Sequence, residues 1–190
     1  MWEPPAPAGG GSTKETTLQT QKSIVEVEFR KEEKMSYDLK LERVFDATPD
    51  EVFGAFIDPH AHREWFRADR PDWAVTSEVD LRPGGRWDLS FGPEKDPRPY
   101  RAVSIFAQIE PPHRLVFRMT RMWPDAASFD TDFVVTFQKQ GNKTLFTMKE
   151  TGFQTAEERD GFLGGWPDFI DALERAVAKR QRDKRRPAAA

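Results

Sequence analysis

Cysteine is absent from the 190 residues, which excludes a disulfide framework, a thiolate nucleophile and a cysteine-based zinc site. Its absence fits a reducing cytoplasm, the expected compartment. No apolar run approaches the roughly 18 residues that span a bilayer, and the N-terminus lacks the apolar stretch of a signal peptide. The formal net charge is only −3, with both signs interspersed. That gives no general attraction to nucleic acid or anionic lipid, so neither is an expected partner. Nucleophile elbow, P-loop and dinucleotide fingerprint are missing as well, so no cofactor and no nucleophilic catalytic residue is expected. Histidine is scarce. His60 and His62 lie close to Asp58 and Glu64, but a spacing of two puts them on different faces of a helix. A solvated helix is therefore expected there rather than a metal site. His113 falls in a Pro-Pro turn and is expected to be exposed.

Aromatic residues are plentiful: 15 Phe and 6 Trp contribute to an aromatic fraction of 12%. Each such ring buries roughly 150–250 Å², so an aromatic core is expected. The chain reads as one domain at 35–183, an N-terminal extension at 1–34 and a short C-terminal tail at 184–190. Residues 1–22 are rich in Pro, Gly, Ala, Ser and Thr and have too little apolar surface to offset their ordering entropy. At 24–30, Val25, Val27 and Phe29 alternate with charges, the period of a half-buried strand. Met35 offers an alternative translation start. Lys179, Arg180, Arg182, Lys184, Arg185 and Arg186 make the C-terminal end basic, which complements a helix dipole.

Leu39 and Leu41 alternate with polar neighbours in Tyr37–Phe45, a strand pattern. Thr48-Pro49-Asp50-Glu51 then combines an N-cap, proline at the first helical position and a capping-box glutamate, so a helix is expected from Pro49 to about Asp58. A second short helix is expected over His60–Phe66. From Trp73 to Glu150 the pattern becomes an antiparallel meander with room for about five or six strands. Its turns are Arg82-Pro83-Gly84-Gly85, where a type II turn requires positive φ at Gly84, Glu110-Pro111-Pro112-His113, and Gly141-Asn142. Thr155 and Glu158 cap a helical segment running to Leu163. After Gly164-Gly165, Trp166, Phe169, Ile170, Leu173 and Val177 share one face of a long amphipathic helix.

Strand, two short helices, antiparallel strands and a long closing helix make an α+β helix-grip order. The motifs Phe45-Asp46-Ala47-Thr48-Pro49-Asp50-Glu51-Val52-Phe53, Trp65-Phe66, Arg82-Pro83-Gly84-Gly85, Glu110-Pro111-Pro112-His113-Arg114-Leu115-Val116 and Thr151-Gly152-Phe153, followed by Gly164-Gly165-Trp166, occur in this sequence. In that order they resemble the SRPBCC, or START-like, superfamily. The branch they resemble is named for activator homologues of a heat-shock-chaperone ATPase. The resemblance runs from about Tyr37 to Val177. It implies a curved sheet gripping the last helix, with a hydrophobic cavity between them. Members bind lipids, polyketides, hormones or other apolar molecules, and some are cyclases or hydrolases. The eukaryotic activators that name the branch carry a further N-terminal chaperone-binding domain, which residues 1–34 are too short to supply.

Side chains alternate across a strand. One face therefore carries Trp87, Leu89 and Phe91, another Leu115, Phe117 and Met119, a third Phe129, Phe133, Val135 and Phe137, and a fourth Phe146 and Met148. These converge on Trp166, Phe169, Ile170 and Leu173, while Trp65 is placed at the mouth. The bland alternative is a solid core that binds nothing. Arg121 and Glu150 continue two of these faces and are expected to pair, hold water or meet a ligand, unless they reach solvent from the strand ends. The first expected function is binding of an apolar or amphipathic small molecule for sensing, transport or protection. The second is cyclase- or hydrolase-like chemistry, with Glu150 as base and Arg121 stabilising negative charge. The third is a chaperone-assisting role through a protein surface.

Overall fold

Leu39 is buried and its polar neighbours face outward in β1 (Tyr37–Phe45), as period-two alternation requires. The computed structural model describes residues 37–67, 70–96, 99–123 and 127–185, and the strand read at 24–30 lies outside them. α1 (Pro49–Ile57) begins at the expected proline. There the Glu51 carboxylate accepts the Thr48 backbone N–H at 2.9 Å and the Thr48 hydroxyl at 3.2 Å. Proline at position 59 closes α1 and opens α2 (Pro59–Trp65), whose N-cap Asp58 accepts the His60 N–H at 2.8 Å.

The meander contains β2 (Trp73–Val79), β3 (Arg86–Pro93), β4 (Tyr100–Glu110), β5 (Arg114–Met122), β6 (Phe129–Gln140) and β7 (Lys143–Phe153). With β1 they form a seven-stranded antiparallel sheet in the order β1-β7-β6-β5-β4-β3-β2. Cross-strand register puts Phe117 beside Phe133 and Phe137 beside Phe146, so the buried faces of successive strands merge into one. The turn between β2 and β3 has Gly84 at φ +73°, and the Gly85 N–H donates to the Arg82 carbonyl at 2.7 Å. A Cβ on Gly85 would stand 2.1 Å from the Asp80 carbonyl oxygen. Gly85→Ala is accordingly expected to cost about 1–3 kcal/mol in urea unfolding. Gly54→Ala, which meets no atom within 4 Å, serves as the control in the same measurement.

Helix α3 (Ala156–Arg185) runs without a break through Gly164 and Gly165 and contains Pro167. This differs from the two segments expected from the sequence. The two helical glycines cost about 2 kcal/mol relative to alanine, less than the roughly 3–6 kcal/mol gained by burying Phe162 and Phe169 on the same rod. Helical geometry also extends through Arg185, so the basic end of the chain is helical to that point. Ion pairs flank the apolar contact. Arg43 on β1 meets Asp171 at 2.5 Å and Glu174 at 3.1 Å, and Arg180 meets Asp58 at 2.6 Å. Such pairs, partly exposed to solvent, add little energy. The result is a helix-grip fold with its aromatic core between sheet and helix.

Candidate functional site

Strand parity sends Met119 and Arg121 of β5 toward α3, and the i, i+4 spacing of Phe162 and Trp166 puts both on the helix face that meets them. Between these elements is a cavity of about 50 Å³, open at one side. Leu89, Phe91, Ala102, Met119 and Arg121 border it from the sheet; Phe162, Trp166 and Phe169 border it from α3. Phe66, just past α2, closes one wall by packing on Phe169 with ring centroids 5.5 Å apart. Tyr100, Arg101, Met122 and Trp123 complete the lining at the ends of β4 and β5.

Arg121 is the charged group buried in this wall. Its Nη2 is 2.5 Å from Glu150 Oε1, and the two side chains are 6% and 0% exposed. The contact is an ion pair whose angles fall outside hydrogen-bond geometry. Arg121 Nη1 donates to the Thr131 hydroxyl, and the Trp166 indole N–H donates to Glu150 Oε2 at 3.0 Å. The guanidinium carbon is 4.6 Å from the Phe162 ring centre, 5.3 Å from Phe133 and 5.5 Å from Phe129. A cation among three rings gains cation–π attraction. Burial lowers the Arg121 pKa from its ordinary value, and the Glu150 carboxylate opposes that shift.

The fifteen positions read as site residues fall into four groups. Phe91, Met119, Arg121, Trp166 and Phe169 border the cavity. Glu150 and Phe133 stand directly behind that wall, against Arg121 and Trp166. Phe117 stacks on Phe133 at 4.8 Å and continues the core away from it. Trp65, Trp87, Val135, Phe146, Met148, Ile170 and Leu173 are buried, but they do not border the cavity. Trp65, expected at the mouth, instead packs on Phe56 and Phe66. Phe162 was legible as the residue one helical turn before Trp166, once α3 is continuous. Trp123 extends the inward parity of Met119 and Arg121 by one more step.

His62 corrects the expectation of a solvated α2. It is 0% exposed, stacks on Trp87 at 4.7 Å, and bonds Ser77 through Nδ1 at 2.6 Å and the Phe56 carbonyl through Nε2 at 2.8 Å. The spacing that separates the two histidines leaves His60 exposed and turns His62 into the core. Burial pulls the His62 pKa down to about 4, against the opposing hydrogen bond to Phe56 and the charge of Asp58. His113 is exposed in its turn. Among the described residues no cluster of three or more histidines or carboxylates could hold a metal ion.

Residues 46–178 match the family described as Activator of Hsp90 ATPase homolog 1-like protein. The chain belongs to this family, a branch of the SRPBCC superfamily. Solved structures of the same fold include the AHSA1-like protein from Aeromonas hydrophila, with TM-score 0.64 and 21% identity, covering 80% of this chain and 100% of that one. The Mll3558 protein from Rhizobium loti gives 0.63 and 25%, covering 75% and 97%. Protein CV1439 from Chromobacterium violaceum gives 0.62 and 23%, covering 74% and 96%. No curated protein matches the sequence. The family match covers the whole cavity wall from Phe66 to Phe169. Among the described residues of this family member, no helix is long and apolar enough to cross a membrane.

Proposed function

We propose that the chain binds a small apolar or amphipathic molecule in the cavity between the sheet and α3, serving to sense, carry or protect it. The observation that carries this reading is Arg121, a buried cation bordering a largely apolar hollow. A core built for stability alone is served as well by hydrophobic residues as by a buried ion pair, whose desolvation offsets much of its attraction. A few fixed polar groups in an apolar lining are instead how small-molecule pockets orient their contents. The Activator of Hsp90 ATPase homolog 1-like match and the helix-grip architecture support the same reading. The expected partner is a hydrophobic small molecule in the cytoplasm, without nucleic acid, membrane, metal or cofactor.

One observation favours binding over the cyclase- or hydrolase-like alternative. Both Glu150 oxygens face protein groups, Arg121 on one side and Trp166 on the other. That geometry suits a carboxylate that positions its neighbours better than one that takes a proton from a substrate. A chaperone-assisting surface is less favoured, since among the described residues the exposed large apolar ones, Val44, Ile105 and Leu163, stand on three separate elements, β1, β4 and α3.

Native mass spectrometry of the protein purified under gentle conditions, followed by a thermal-shift screen of small apolar compounds, is the direct test. Ala102 is 6% exposed and borders the cavity, so Ala102→Leu inserts methylenes into the hollow. Affinity for any ligand found is expected to fall at least about tenfold, or about 1.4 kcal/mol. Unchanged binding in Ala102→Leu would remove the cavity as its site.

A further inference from the structure

We infer that the cavity selects an uncharged molecule carrying a hydrogen-bond acceptor, such as a ketone, ester or ether oxygen on a compact apolar frame. This rests on the cavity-binding reading and adds the polarity of the ligand. The polar side chains bordering the cavity are Tyr100, Arg101, Arg121, Trp123 and Trp166. Guanidinium and indole groups only donate, and of these residues Tyr100 alone has a side chain that can also accept. The Trp166 N–H is taken by Glu150. Trp123 Nε1 is buried without a partner. Its ring is held by stacking on Phe129 at 5.4 Å and by edge contact with Phe162 at 5.9 Å, so the indole cannot turn its N–H to solvent without losing both contacts. A buried donor without an acceptor is costly, and a ligand acceptor would remove that cost.

The charges select against an ionised ligand. Glu150 already matches Arg121 at 2.5 Å, so an entering carboxylate would lose its hydration and meet a second carboxylate behind the guanidinium. A ligand ammonium would meet the like charge of Arg121, while Glu150 does not border the cavity. Arg101 is exposed and lies on the outward parity of β4, so solvent and salt screen its charge. The volume limits size. A hollow of about 50 Å³ is smaller than the roughly 150 Å³ apolar cavities that admit benzene. The enclosed portion of the ligand is therefore smaller than a benzene ring, and the rest of the molecule extends past the open side of the cavity.

Acetophenone, ethylbenzene and benzoate form a matched test series: neutral acceptor, no acceptor and anion. Each is titrated into ¹⁵N-labelled full-length protein while the six indole N–H resonances, one per tryptophan, are followed; Trp123→Phe assigns one by its loss. Acetophenone is expected to move the Trp123 resonance downfield and to bind about five- to tenfold more tightly than ethylbenzene. That preference should shrink to within about twofold in Trp123→Phe, whose remaining spectrum reports whether the fold is kept. If ethylbenzene binds as tightly as acetophenone, the donor-directed selection is wrong while the cavity reading stands. Tightest binding by benzoate would overturn the neutral class in the same way. If none of the three moves a resonance of a cavity residue, the cavity-binding reading itself fails. The wild-type series decides among these outcomes without any variant.

Discussion

Glu150→Gln is expected to destabilise the domain by about 3–5 kcal/mol, measured as the loss in free energy of urea unfolding at neutral pH. The substitution keeps side-chain volume and an oxygen for the Trp166 N–H, but leaves the Arg121 guanidinium 6% exposed among Phe129, Phe133 and Phe162 with no counter-charge. Cation–π attraction of about 2 kcal/mol at best does not replace the lost partner. Arg121→Met is expected to cost less, because a carboxyl group left behind can take up a proton whereas a guanidinium cannot release one. The double variant Arg121→Met/Glu150→Leu removes both charges and should recover most of the loss. Recovery will stop short of wild type because the Trp166 N–H loses its acceptor. A loss below about 1 kcal/mol in Glu150→Gln would mean that the pair is solvated in solution.

The same pair illustrates how far the sequence could be read. Alternation alone carried Arg121 and Glu150 to the inner face, because period-two geometry is local and survives any tertiary arrangement. The capping signals at Thr48 and Thr155 located two helix starts for the same reason. What alternation cannot give is depth along the sheet. Phe146 and Val135 share the inward face with Met119, yet they lie where α1 and α3 close down on the strands, and the space there is filled by Phe56 and Phe137. The cavity survives toward the far ends of β3, β4 and β5, where Phe66 and the first half of α3 supply the cover. Its position thus depends on how a continuous α3 crosses the sheet, and Gly164-Gly165 suggested a break that burial of Phe162 and Phe169 overrides. His62 was obscured by a different limit. Helical spacing shows that two histidines diverge, but which of them turns inward depends on β2 and β3 bringing Ser77 and Trp87 beneath α2.

Acidification should expose that buried histidine as a loss of about 3 kcal/mol between pH 6.5 and pH 4. The Phe56 carbonyl can only accept, so His62 Nε2 carries the proton and the bare Nδ1 accepts from the Ser77 hydroxyl. Ser77 Oγ in turn accepts the Trp87 indole N–H at 2.9 Å. The chain from Trp87 through Ser77 and His62 to Phe56 is complete with a neutral ring, and a second proton on Nδ1 would force Ser77 to turn its hydroxyl away. Burial is the largest cause holding the folded pKa near 4, against an ordinary value of 6.5. The folded pKa is therefore the lower of the two, and between the two values the unfolded chain binds more protons than the folded one. Stability accordingly rises with pH across that window, and the contribution is fully present above about pH 6.5 and fully lost below about pH 4. Carboxylates with lowered pKa, among them Glu51 and Asp132, also lose stability on acidification, so the wild-type slope alone does not isolate the histidine. His62→Gln keeps a donor and an acceptor but cannot ionise. It should lower stability at pH 7 and flatten the decline between pH 6.5 and pH 4 by about 3 kcal/mol relative to wild type. Parallel curves for the two proteins in urea unfolding across that range would show that the ring titrates as it does in water, and that α2 opens to solvent before the domain unfolds.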